Sequence, residues 1–167
     1  RLWYYNGTSW AEQTPAGATD QNWYCGDIDG TRMVAGVYGG RLWYFDGSSW
    51  SEQQPVGNAN YNWQYASISG TKMAVSGSTG ATTKRAYYYD GSSWAETQPA
   101  GNVNKTWFAG ALSGTRIIAI PTAGANEVYY YNGSSWSTET VATDDFYSTG
   151  ISDEAMVTGA YNSGRLY

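Results

Sequence analysis

The 167-residue sequence has no histidine and a single cysteine, Cys25. A Ser-His-Asp triad, a Cys-His dyad and a histidine-based metal site therefore cannot be built from this chain alone. A disulfide framework within the chain is also excluded, and a lone thiol leaves the redox compartment open.

Charge is scarce too, at 14% of residues, with a net charge of −5 and no basic run. Because duplex affinity rests on neutralised phosphates, we expect no nucleic-acid partner. Apolar runs such as Arg116–Ile120 are far too short to span a bilayer, so we expect no membrane insertion. No signal peptide is visible, since Leu2–Tyr5 already has the composition of a strand.

What the sequence does contain is an internal repeat rich in tryptophan, tyrosine and glycine. The segment Arg-Leu-Trp-Tyr-Tyr-Asn-Gly-Thr-Ser-Trp at 1–10 returns with small changes at 41–50, 85–94 and 127–136. Four copies, at about 1–40, 41–84, 85–126 and 127–164, predict one repeat domain over 1–167.

A second aromatic landmark follows the hairpin tryptophan in every copy. It is Trp23, Trp63 and Trp107 in the first three copies and Phe146 in the shorter fourth. The last three residues, 165–167, begin a fifth copy.

Each copy has the pattern of four short strands. An Asn-Gly or Asp-Gly pair between aromatic flanks predicts a hairpin with a type I′ turn, in which both central residues have positive φ. Leu42–Phe45 and Ser49–Gln53 are the strands of one such hairpin. Trp63–Ser69 then alternates in the manner of a strand, and Gly70-Thr71 turns the chain into Lys72–Ser76.

Repeats of 38–44 residues with four antiparallel strands each predict an all-β fold, a β-propeller with one blade per repeat. Trp23–Asp29 would be the innermost strand, lining a central channel, and Ser49–Gln53 the outermost. Two arrangements fit. Residues 1–13 complete the blade begun by 144–161 in a closed four-bladed ring, or the four copies are a slice of a larger propeller.

The segment from Gly30 to Pro55, which includes Asp46-Gly-Ser-Ser-Trp50, resembles the tandem propeller repeats related to sialidase-type Asp-box repeats of secreted microbial proteins. The resemblance covers all four copies, although the spacing between Asp and Trp is one residue tighter and the leading serine is missing. It implies a structural hairpin role and no catalytic residue. That role falls on the following residues: Asn6, Trp10, Asp46, Trp50, Asp90, Trp94, Asn132 and Trp136. The hairpins also bear a weaker likeness to those of fucose-binding propeller lectins.

Carbohydrate binding is the leading functional interpretation of the polar loops that end in Trp23, Trp63 and Trp107. Sugar rings stack on aromatic faces while polar side chains bond their hydroxyls, so Asn22 and Asn62 join the candidate ligand site. Arg41 and Arg85 are two further candidates. Each would either bind the ligand or stack on a neighbouring tyrosine ring. The alternative is that the three tryptophans are core residues between blades.

The sequence gives weaker support for glycoside hydrolysis and for calcium binding. Asp27 with Asp29, or Asp144 with Asp145, are the acidic pairs that a glycosidase needs, but enzymes break repeat symmetry at the catalytic position. Asp27-Ile-Asp-Gly30 also resembles the opening of a calcium loop, yet later copies lack the acids.

Three sequons, at Asn6, Asn104 and Asn132, are possible glycosylation sites.

Taken together, these features of the sequence lead us to expect a non-catalytic recognition module, extracellular or on the cell surface. We expect it to use no cofactor or metal and to bind carbohydrate or glycoprotein surfaces. The alternative is a structural building block that associates with itself or with further blades, and a more distant one is a relative of glycoside hydrolases.

Overall fold

The computed structural model describes residues 1–79, 84–103, 105–121, 127–140, 146–160 and 166. Every regular element in this part of the chain is a β-strand, and no described helix is long and apolar enough to cross a membrane. The strands are β1 (Leu2–Tyr5), β2 (Trp10–Gln13), β3 (Trp23–Asp29), β4 (Arg32–Gly40), β5 (Leu42–Phe45), β6 (Trp50–Gln53), β7 (Tyr61–Ser69), β8 (Lys72–Ser78), β9 (Lys84–Tyr89), β10 (Trp94–Thr97), β11 (Trp107–Ser113), β12 (Arg116–Pro121), β13 (Glu127–Tyr131), β14 (Trp136–Thr140), β15 (Phe146–Ile151) and β16 (Met156–Ala160).

Three complete blades form the body of the molecule, each a meander of four consecutive antiparallel strands. We name them the first blade (β3–β6), the second blade (β7–β10) and the third blade (β11–β14). Strands β15 and β16 form the C-terminal half-blade, and β1 and β2 form the N-terminal hairpin. The predicted all-β fold and the order of strands within a blade are confirmed.

The core lies between neighbouring blades, and the second strand of each blade contributes more of it than any other strand, followed by the inner strand. Apolar runs in β4, β8 and β12 are buried on both faces, as expected for strands with a blade on either side. Inner strands contact one another around the centre, β3 with β7, β7 with β11 and β11 with β15. The first two blades are also joined by a short ladder between β4 and β7.

The hairpin turns differ from the type I′ geometry expected from the sequence. No described residue other than glycine has positive φ, so Asp46 cannot occupy the first central position of that turn. The loop instead spans four residues, with Gly47 at φ 105°, and Phe45 pairs with Trp50 across it. The Asp46 carboxylate accepts hydrogen bonds from the backbone N–H groups of Ser48 (2.7 Å) and Ser49 (2.9 Å). The Asx residue is therefore needed as an acceptor that closes the loop.

Each inner strand carries a β-bulge immediately after its landmark aromatic residue. The register against the second strand shifts between Trp23 and Cys25, between Trp63 and Tyr65, and between Trp107 and Ala109. The half-blade has the same shift between Phe146 and Ser148. A bulge breaks the alternation of side chains and redirects the extra residue.

The blades form an open arc. Among the described residues, β1 and β2 pair only with each other, and the strand edge of β16 is met by a single bridge between Gly159 and Leu166. The closed ring in which residues 1–13 complete the last blade of the same chain is therefore not the arrangement found. The structure is a partial propeller of about four blades.

Candidate functional site

The bulges place one side chain from each complete blade at the centre of the arc. Tyr24, Gln64 and Phe108 line a cavity of about 380 Å³, and Ser148 and Thr149 of the half-blade complete its wall. This volume lies within the range of about 300–1,000 Å³ that small-molecule sites occupy. The cavity thus combines two aromatic rings with an amide and two hydroxyl groups.

Tyr24 belongs to a pair of exposed aromatic rings beside this cavity. Its ring lies 5.5 Å from that of Tyr38, centroid to centroid, at an interplanar angle of 48°. Both rings keep about half of their surface in solvent. Exposed aromatic rings held by a neighbouring ring offer an apolar face at little cost in side-chain entropy.

Two of the three landmark tryptophans are core residues. Trp63 is 1% exposed and packs 4.9 Å from the Tyr61 ring, and Trp107 is 4% exposed and makes an edge contact with Tyr129. Since both rings are enclosed, neither offers a face to a sugar, and the expectation that they stack on a ligand is not met. Trp23 is half-buried at the equivalent position of the first blade.

The two asparagines placed beside these tryptophans act through their backbone. The carbonyl oxygen of Asn22 accepts a hydrogen bond of 2.9 Å from the N–H of Tyr38. Asn62 sits at the junction of blades, paired with Tyr38 on one side and Ser78 on the other. They fix the strand ends that carry Tyr24 and Tyr38.

The two candidate arginines are engaged within their own blades. Arg85 Nε lies 2.8 Å from a Glu96 carboxylate oxygen. Arg41 Nη2 donates to Asn58 (2.6 Å), with Glu52 at 3.7 Å from its Nε. Arg85 lies in the third strand of its blade and Arg41 directly before it, and both bond to the fourth strand or to the loop that follows. Neither arginine lines the central cavity.

The acidic pair Asp27 and Asp29 joins the first blade to the second. Asp27 Oδ2 accepts hydrogen bonds from Ser67 Oγ (2.8 Å) and from the N–H of Ile68 (2.9 Å). Asp29 Oδ2 accepts from the N–H of Gly70 at 2.5 Å. Carboxylates committed to such bonds are poor candidates for acid–base catalysis or calcium binding. The other acidic pair, Asp144 and Asp145, lies outside the described residues.

The same connection recurs at the next seam, with serine in place of aspartate. Ser67 Oγ accepts from the buried N–H of Leu112 (3.0 Å), and Ser69 Oγ accepts from the N–H of Gly114 (2.9 Å). In the described part of the chain no group of three or more Cys, Asp or Glu side chains is placed to hold a metal ion.

The hairpin residues have one geometry in all four copies. Each turn Asn or Asp accepts from the N–H groups two and three residues ahead. Each hairpin tryptophan packs about 5.3 Å from the aromatic residue that pairs with it. The residues are Asn6 with Trp10, Asp46 with Trp50, Asp90 with Trp94, and Asn132 with Trp136. The sequons at Asn6 and Asn132 fall on these exposed turns, and Asn104 lies outside the described residues.

The one thiol, that of Cys25, lies in the wall of the central cavity. Burial raises the pKa of Cys25 to about 12, so the group stays protonated at neutral pH.

The sequence favours Trp23, Trp63 and Trp107 as ligand residues because they recur at the ends of polar loops, and it gives no such signal for Tyr24, Gln64 and Phe108. Their shared signal is positional, since each follows a landmark aromatic residue directly, and the residue types themselves vary.

Comparison with known proteins shows the fold and no closer relationship. No family model and no curated protein matches the chain. Among solved structures, it is similar to the computationally designed Ika4 protein (TM-score 0.60, 14% identity, 90% of this chain and 91% of that one). It is also similar to the β-propeller domain of Swd1 from Myceliophteria thermophila (0.59, 13%, 86% and 52%) and to a GH74 xyloglucanase from Xanthomonas campestris (0.59, 16%, 96% and 34%). The chain is therefore a β-propeller arc that spans nearly all of Ika4, about half of the Swd1 domain and a third of the xyloglucanase.

Proposed function

We propose that this propeller arc is a non-catalytic recognition module, extracellular or on the cell surface, that binds carbohydrate at its central cavity. The observation that carries the proposal is the convergence of Tyr24, Gln64 and Phe108, delivered by equivalent bulges of three successive blades.

The chemistry of these groups suits a sugar. The apolar C–H face of a pyranose stacks on an aromatic ring, here Tyr24 or Phe108. The amide of Gln64 both donates and accepts hydrogen bonds, and the hydroxyl of Ser148 supplies one more partner. The hydroxyl of Thr149 donates to the Val157 carbonyl oxygen (3.2 Å) and keeps only its acceptor capacity.

Two further points support recognition over catalysis. The two carboxylates of β3, Asp27 and Asp29, accept hydrogen bonds from the second blade and do not form a free acid–base pair. The Asx-Gly-x-x-Trp hairpins resemble those of Asp-box repeats and propeller lectins, which favours a secreted protein that acts by binding.

The test is a glycan array followed by titration calorimetry with any oligosaccharide that is retained. We expect Tyr24→Ala and Phe108→Ala each to weaken binding at least tenfold, because a lost stacking face removes about 1.4 kcal/mol or more. Tyr24→Phe keeps the ring and should retain most of the affinity.

The matched control is Tyr89→Phe in the second blade, far from the cavity, where Tyr89 packs on Trp94. It should leave binding unchanged. Carbohydrate binding that survives both alanine substitutions in folded protein would place the site elsewhere. If the array retains no glycan, the proposal is wrong.

A further inference from the structure

The four inner strands, which line the central cavity, carry almost no charge. Strands β7, β11 and β15 contain no Asp, Glu, Lys or Arg, and β3 contains two acidic residues, Asp27 and Asp29. Both carboxylates already accept hydrogen bonds from the second blade. The strands that enclose the site therefore offer no positive charge to a ligand.

The described wall of the cavity is uncharged as well. It consists of Tyr, Phe, Gln, Cys, Ser, Thr, Ala and Gly residues. Its thiol and its buried phenol stay protonated at neutral pH, because burial raises the pKa of Cys25 to about 12 and also raises the pKa of Tyr65. A carboxylate, sulfate or phosphate group placed here would lose water and gain no cationic partner, which is unfavourable.

The basic side chains closest in sequence to the polar loops between blades are paired with carboxylates. The pairs are Arg41 with Glu52, Arg85 with Glu96, and Lys105 with Glu127. None of these three basic residues lines the cavity. The net charge of the whole chain, −5, also opposes the approach of an anionic glycan.

A second aromatic ring continues the binding surface beyond the cavity. Tyr38 is not among the residues that line the cavity, but its ring lies 5.5 Å from the ring of Tyr24, which does line it. This separation is close to the span of one pyranose unit in a glycan chain. A sugar bound beside Tyr24 would therefore place its neighbour in the chain over Tyr38, which is 46% exposed.

The repeat does not require an aromatic residue at this position. In the second blade the equivalent residue is Ser78, which is buried. Tyr38 and Ser78 meet the same part of the preceding strand, since the Tyr38 N–H donates to the Asn22 carbonyl oxygen and Ser78 pairs with Asn62. The ring of Tyr38 is thus a feature of the first blade and breaks the symmetry between these two blades beside the site.

We infer that the site takes an uncharged oligosaccharide, with one sugar ring in the cavity beside Tyr24 and the next ring stacked on Tyr38. This inference rests on the proposed function, because it specifies the class of carbohydrate that the same site binds. The uncharged wall excludes sulfated, sialylated and uronic-acid glycans, and the second ring makes affinity depend on chain length. The two rings are tilted by 48°, so they fit a chain that turns between units and not a flat crystalline surface.

The first experiment is an array of short glucose, galactose and mannose oligomers. Each is printed beside its sulfated and sialylated forms and beside its uronic-acid and amino-sugar analogues. We expect neutral oligomers to be retained and their charged counterparts to bind at least about tenfold more weakly. Retention of charged glycans as strong as that of neutral ones would overturn the inference and leave carbohydrate binding intact. If no glycan is retained, the proposed function itself fails and the inference falls with it.

The second experiment places a cation in the cavity with Gln64→Lys. We expect the affinity for a sulfated oligomer, relative to its neutral parent, to rise at least about tenfold over wild type, because the ammonium group supplies the absent partner. Gln64→Met has a similar length without charge and should leave this ratio within about twofold of wild type. An unchanged ratio in folded Gln64→Lys would show that the missing cation does not set the selectivity, and the inference would be wrong.

The third experiment measures chain-length dependence by calorimetry, with the monosaccharide and disaccharide of the neutral oligomer that gives the strongest array signal. In wild type the disaccharide should bind at least about fivefold more tightly than the monosaccharide. Tyr38→Ser introduces the residue that the second blade has at this position, so we expect it to fold. It should remove the gain and leave monosaccharide affinity within about twofold, whereas Tyr38→Phe should keep the gain. A gain that survives Tyr38→Ser, or equal affinities of the two sugars for wild type, would overturn the inference.

Discussion

At the scale of single residues, the turn acceptors account for the interchange of Asn and Asp in the repeat. Both side chains present one oxygen to the N–H groups two and three residues ahead, and the four turns use Asn6, Asp46, Asp90 and Asn132 alike. They differ in charge, so they differ in their response to pH.

The pKa of Asp46 is held at about 2 by the hydrogen bonds from Ser49 and Ser48, below the ordinary value of 3.8. A depressed carboxyl pKa contributes stability that is complete above the ordinary value and is lost as pH falls toward 2. We therefore expect the melting temperature of wild type to fall between pH 4 and pH 2 more steeply than that of Asp46→Asn. Asn132→Asp should show the converse, a steeper fall than wild type. Parallel melting curves for wild type and Asp46→Asn across this range would contradict the account of the turn.

At the scale of the strand, the inner strands bond to the next blade through alternate side chains on the same face. Ser67 illustrates this because its hydroxyl donates to Asp27 of the blade before and accepts from Leu112 of the blade after. One small side chain thus connects three blades.

We expect Ser67→Ala to lower the free energy of unfolding by about 1–3 kcal/mol, since it leaves the buried N–H of Leu112 without an acceptor. Ser69→Ala, two residues along the same strand, removes an exposed bond to Gly114 and should cost less than about 1 kcal/mol. Urea denaturation of the two variants gives the comparison. A larger loss for Ser69→Ala than for Ser67→Ala would show that burial does not set the cost at this seam.

The strands themselves were predictable, while the site was not. Period-2 alternation, glycine turns and the repeat place β3, β5, β7 and β8 within a residue or two of their observed ends. The bulge has no such signal, because Tyr24, Gln64 and Phe108 share no residue type and a bulge is a property of pairing between strands. The turn class was wrong for a related reason, since Asp-Gly is compatible with both a two-residue and a four-residue loop.

At the scale of the whole molecule, the spacing between the second and third blades depends on the contact between their inner strands, β7 and β11. A Cβ on Gly110 of the third blade would overlap the ring of Tyr65 in the second. The equivalent glycine of the first blade, Gly26, faces the incomplete seam, where its nearest neighbours belong to its own blade.

Gly110→Ala should therefore push the second and third blades apart and destabilise the protein by about 1–3 kcal/mol, as overpacking does in other cores. Gly26→Ala should cost clearly less. Thermal unfolding of the two variants measures the difference, and an equal loss would mean that the ring of Tyr65 does not limit the approach of the blades.

The bonds between units have a consequence for how such a protein changes in length. The indole groups of Trp50 and Trp94 both donate to the preceding unit. At the seams between the first three blades, inner-strand side-chain oxygens accept from backbone N–H groups of the following blade, so these two seams have the same donor side and the same acceptor side. A unit of 40 to 44 residues duplicated between these blades would then meet neighbours that offer the same donors and acceptors, so we expect the protein to tolerate a change in the number of blades at this place.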